Sequence, residues 1–177
     1  DGLSVETWIV REGGPVIKTL VFLLEELSAK EMLLGVLDRI LPKNITPEFM
    51  VFSGKQDLEK NLVRRLKGWQ KPGSAFVIMR DQDAGDCAAI KQNLTALCQQ
   101  AGKPHFLVRI ACHELESFYL GDLQAVEKGL ELDGIATRQN RSKFRTPDGL
   151  ANPSEELAKL TGGVYQKVAG SRAIGTH

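Results

Sequence analysis

The sequence contains no apolar run approaching the roughly 20 residues that a bilayer-crossing helix needs, so no membrane partner is expected. Cysteine is scarce. Cys87, Cys98 and Cys112 are odd in number and lack C-x-x-C spacing, which excludes a disulfide framework and a zinc knuckle. Unpaired thiols fit a reducing compartment, and a cytoplasmic location is expected. The opening segment "DGLSVETWIVREGG" lacks the basic stretch and apolar core of a secretory leader. A net charge of +1 provides no global field that would draw nucleic acid or membrane, so any such partner must meet a local patch. Internal repeats and low-complexity tracts are absent as well.

What is present reads as one globular domain. The chain has 177 residues, 25% charged and 42% hydrophobic, enough for a single core and too few for two. Residues 1–16 read as an extension, and 17–177 as the domain. Within the domain, short apolar runs alternate with helical patterns. "IKTLVFLL" (17–24), "FMVF" (49–52), "AFVIM" (75–79) and "FLVRIA" (106–111) read as buried strands. Met32, Leu33, Val36, Leu37, Ile40 and Leu41 recur at helical spacing until Pro42, behind a capping box in which Ser28 is the N-cap and Glu31 its partner. A second helix places Leu58, Leu62, Leu66 and Trp69 on one stripe. A third begins near Cys87, with Asp86 as its N-cap, and closes at Gly102. The alternation predicts an α/β fold, a parallel sheet flanked by helices. After residue 120 the pattern weakens, leaving a helix over 122–130, a polar stretch and a short helix from Ser154.

Acidic residues gather where three of these strands end. If the strand order is 2-1-3-4, the crevice beyond the carboxyl ends opens between strands one and three. Strand one delivers Glu25 and Glu26, strand three Asp81 and Asp83, and strand four Glu114 and Glu116. Clustered carboxylates repel one another unless they are protonated or joined by a cation. Oxygen donors without a Cys or His cluster select Mg²⁺ or Mn²⁺ over zinc. Glu25, Asp81 and Asp83 are therefore the candidate catalytic and metal-binding residues, with Glu25 as general acid/base. Glu114 and Glu116, one residue apart and expected to face the same way, are candidates for a second metal site or a local salt bridge. Lys55, after Gly54 and at a helix start, is a candidate phosphate contact, although it lacks the spacing of a P-loop. "RQNRSKFR" carries Arg138, Arg141, Lys143 and Arg145 with one aromatic and no acid, a composition suited to a nucleic-acid contact and equally to a solvated loop.

The strand-terminal Glu25 and the D-x-D of "VIMRDQDAGD" resemble the Toprim domain of topoisomerases, bacterial primases and OLD-type nucleases. The blocks "TLVFLLEELSAKEML", "SGKQDLEKNLVRRLKGW", "RDQDAGDC" and "RIACHELESFYLGD", with "KFRTPDGLANPSEELAKLT" and "SRAIG", are similar to domain of unknown function 4276, over roughly residues 17–177. Position 26 is Glu where the wider Toprim pattern prefers Gly. The resemblance implies a Toprim-like fold and a Mg²⁺- or Mn²⁺-dependent phosphodiesterase, a nuclease acting with an ATPase partner in a phage-defence-like setting. A rival reading is a non-catalytic subunit that docks on such an ATPase. A phosphoacceptor receiver domain is a third, disfavoured because its acidic pair follows strand one.

Overall fold

The structure, a computed structural model, describes residues 16–177; all but the last residue of the expected 1–16 extension lies outside them. The apolar runs form four parallel strands, β1 (Thr19–Leu24), β2 (Thr46–Val51), β3 (Ser74–Asp81) and β4 (Phe106–Ala111), in the order β2-β1-β3-β4. This is a Rossmann-like α/β fold, and β1 and β3 are its central neighbours. Both are buried along nearly their whole length, as strands covered on two faces must be. β2 lies at an edge, where Pro47 can lack an N–H without breaking the sheet.

Side-chain alternation divides the core. Val21 and Leu23 of β1, with Phe76 and Ile78 of β3, meet Leu58, Leu62 and Leu66 of α2 (Lys55–Gly68) and Leu94 and Cys98 of α3 (Cys87–Gln100). The intervening residues, Leu20, Phe22, Leu24, Val77 and Met79, face α1 (Leu27–Ile40) and the C-terminal helices. Those are α4 (Glu116–Leu120), α5 (Leu123–Gly129), α6 (Ser142–Arg145), α7 (Pro153–Leu160) and α8 (Lys167–Gly175), with 3-10 turns at Ala136–Asn140 and Pro147–Gly149. Among the described residues no helix is long and apolar enough to cross a membrane.

Several local expectations hold and others do not. Asp86 caps α3, accepting from the Ala89 N–H at 2.7 Å, and Gly102 follows that helix at φ +72. Ser28, by contrast, is not the N-cap of α1. The helix starts at Leu27 behind Glu26, and the Ser28 hydroxyl donates to the Glu26 carboxylate. The polar stretch after residue 130 is also more ordered than its composition suggests, because Phe144 within it is buried at 2% exposure.

α8 packs backbone to backbone on α1. A Cβ at Gly35 would lie 2.5 Å from the Gly175 carbonyl carbon and 2.6 Å from the Thr176 nitrogen. Gly35→Ala should therefore cost about 2 kcal/mol despite alanine's better helix propensity, since the clash is with backbone that cannot swing aside. Gly68→Ala, with nothing within 4 Å of the added atom, should be neutral or slightly stabilising. Thermal unfolding of the pair checks both signs, and equal effects would mean that α8 is not held by close approach.

Candidate functional site at the carboxyl edge of the sheet

β1 and β3 pair in parallel from Thr19↔Ser74 to Leu24↔Met79, so Glu25 leaves β1 just where Arg80 and Asp81 finish β3. The β1 ladder continues one residue beyond the strand. Glu25 donates its N–H to the Met79 carbonyl, and its own carbonyl accepts from the Gly54 N–H at 3.1 Å. Gly54, at φ +95, turns the chain there and makes Lys55 the first residue of α2. Glu25 Oε2 accepts from the Asp81 N–H at 3.0 Å. The two sequence-predicted segments thus meet directly.

Their counter-charges come from the chain itself, which no motif in the sequence announces. Arg80, only 6% exposed, lies 2.5 Å from Glu59, 3.7 Å from Asp83 and 3.8 Å from Glu25. Lys55 Nζ donates to Asp83 at 2.7 Å, and that partner raises its pKa above the ordinary lysine value. Burial raises the pKa of Glu25, against the opposing pull of the Asp81 N–H and Arg80. Asp83 stands at φ 54 and donates its N–H to the carbonyl of His113, itself at φ 58, at 2.7 Å. Two non-glycine residues in the left-handed region, bonded to each other, fix the loops after β3 and β4 together.

Asp81 faces a second group. Burial, then Glu26, Glu25 and Glu116, push its pKa up to about 8. Lys167, at the start of α8, pairs with Glu26 at 2.7 Å and is the cation that offsets this group. Burial depresses Lys167, yet the Glu26 bond, with Glu116 and Asp81 behind it, holds its pKa above the ordinary value. Glu116 is fully buried. Its Oε1 accepts from the Tyr165 hydroxyl at 2.9 Å, its Oε2 has no partner among the described residues, and burial raises its pKa.

Other candidates lie apart. Glu114 and Glu116 do not share a direction, because a helical turn, not a strand, follows Cys112. Glu114 instead accepts from the Ser154 N–H at 2.8 Å, at the start of α7. Lys143 pairs with Glu156 at 2.5 Å, so it is not a free cation. Phe144, the one aromatic of that stretch and its candidate for stacking, is buried, leaving Arg138, Arg141 and Arg145 exposed.

The donor set is all oxygen and suits a hard cation in type. In position it is not pre-set: among the described residues no three His, Cys, Asp or Glu side chains stand close enough to hold one ion. Lys55 at 2.7 Å and Arg80 at 3.7 Å both lie on one oxygen of Asp83, Oδ2. In comparisons with known proteins, residues 24–177 match the family model described as Domain of unknown function (DUF4276). No curated protein and no solved structure matches the chain.

Proposed function

The chain belongs to the family described as Domain of unknown function (DUF4276), and from its site we propose a divalent-cation-dependent phosphodiesterase of Toprim type, a nuclease acting with an ATPase partner. One observation carries the reading. Glu25, Asp81 and Asp83 leave adjacent central strands at one edge, and burial together with the surrounding carboxylates opposes the ionisation of Asp81. A cation shared with Asp81 relieves that opposition. Bound Mg²⁺ or Mn²⁺ would polarise a phosphodiester oxygen and acidify its own water. Glu25, anchored through Oε2 by the Asp81 N–H, keeps Oε1 to take a proton, and burial, by raising its pKa, makes it a stronger base than an exposed carboxylate. Lys55, beside Asp83 at the same edge, would meet a substrate phosphate there.

The alternative is a non-catalytic subunit that docks on the ATPase. Arg80 favours it, because a buried guanidinium already balances Glu25, Glu59 and Asp83 without any added ion.

Millimolar Mn²⁺ should raise the melting temperature of the wild type, since a ligand that binds only the folded form stabilises it by mass action. At 100 times its Kd the gain is about 2.7 kcal/mol. The Asp81→Asn, Asp83→Asn double variant should show no shift, and Glu25→Gln should fold normally while losing cleavage of nucleic acid. Equal Mn²⁺ shifts in wild type and double variant would remove the metal reading and leave the docking subunit.

A further inference from the structure

One helical layer is basic, and nearly all of its charge sits on α2. α2 and α3 together carry six cations, Lys55, Lys60, Arg64, Arg65, Lys67 and Lys91, against two acids, Asp57 and Glu59. Both acids are committed. Asp57 accepts from the Ser53 N–H at 3.0 Å and from Asn61, while Glu59 pairs with buried Arg80. Lys60, Arg64, Arg65 and Lys67 are exposed, and none forms an ion pair among the described residues. Glu48, the acid of the neighbouring edge strand, is taken by Lys71 at 3.6 Å.

We propose that the outer face of α2 is a nucleic-acid track, a row of phosphate contacts running from the carboxylate site to Trp69. At one end Lys55 touches Asp83. At the other, Met50, Arg64, Arg65, Gly68 and Trp69 line an open cleft of about 230 Å³, where two guanidinium groups can meet the backbone of the same duplex. The 14 residues of α2 span about 21 Å at 1.5 Å each. A duplex advances about 3.4 Å per base pair, so on the order of six pairs lie alongside. The track rests on the phosphodiesterase reading for its purpose, and on charge and position alone for its place. It assigns substrate binding to α2 in preference to the Arg138, Arg141 and Arg145 patch, whose Lys143 and Phe144 are already engaged.

The test is anisotropy of a fluorescent DNA duplex with excess chelator, from about 50 to 200 mM salt. The Arg64→Gln, Arg65→Gln, Lys67→Gln variant should bind at least about tenfold more weakly at the lowest salt. Its log–log salt slope should flatten by about 0.9 for each phosphate it no longer neutralises. The Arg138→Gln, Arg141→Gln, Arg145→Gln variant should keep most of the wild-type slope. Wild-type melting temperatures for both variants check that the fold is intact. An unchanged slope in the α2 variant overturns the proposal. So does a wild type that fails to bind, which would leave the face to an acidic protein. Chelation separates this outcome from catalysis: a protein that binds along α2 yet never cleaves keeps the track and loses the phosphodiesterase reading.

Discussion

Arg80→Ala should lower folding stability by about 3 kcal/mol, the low end of the range for breaking a buried ion network by removing one partner. Arg80 is almost wholly enclosed and lies close to three carboxylates. Its loss leaves Glu25 charged and partly buried with only the Asp81 N–H for support. Glu59 is more exposed and water can take over its solvation, which is why the upper end of the range is not expected. Adding Glu25→Gln to Arg80→Met should recover much of the loss, because neutral groups of similar volume need no counter-charge. Urea unfolding of the single and double variants measures this. A single variant as stable as the wild type would mean that water, not Arg80, balances Glu25.

Asp81→Asn should stabilise the cation-free protein at high pH and leave it unchanged at low pH. The folded-state pKa of Asp81 is raised from 3.8 to about 8. Below 3.8 the group is protonated in both states and contributes nothing. Between 3.8 and 8 the native state holds the proton that the unfolded state has released, so stability falls as pH rises. Above 8 the loss is complete. Each unit corresponds to about 1.4 kcal/mol, and with water admitted to the site the total is on the order of 3 kcal/mol. The variant lacks this slope. Comparing the two proteins across that window cancels the titrations that do not couple to residue 81, and parallel curves would sink the assignment.

The central strands and their order were readable in the sequence because burial on both faces demands continuous apolar runs, and β1 and β3 have them. From that order followed the meeting of Glu25 with Asp81. Arg80 was not readable. A charged residue at the end of an apolar run looks like the first solvent-exposed position, yet β3 continues to Asp81, paired with β4 through Arg80↔Ile110 and Asp81↔Ala111. α8 was also missed. "KVAGSRAIG" contains two glycines, which weaken a helix by about 1 kcal/mol each relative to alanine. Here both are close-approach positions: Gly175 fits against the Met32 backbone of α1, and Gly170 against the Tyr165 ring. With α8 went Lys167, which no pattern in the sequence ties to residues 26 and 81.

That long-range tie has a consequence for how the protein comes to exist. Glu26, Asp81 and Glu116 are all synthesised before Lys167, and no other described cation forms an ion pair with these three. On the ribosome the sheet can assemble while the acidic pocket beneath α8 is still open to water and its carboxylates are hydrated. Only when α8 emerges and seats Gly175 on α1 does the pocket close around Glu116 and bring the lysine to Glu26. A nascent chain that has not yet reached α8 therefore carries the carboxylates without the arrangement that defines them.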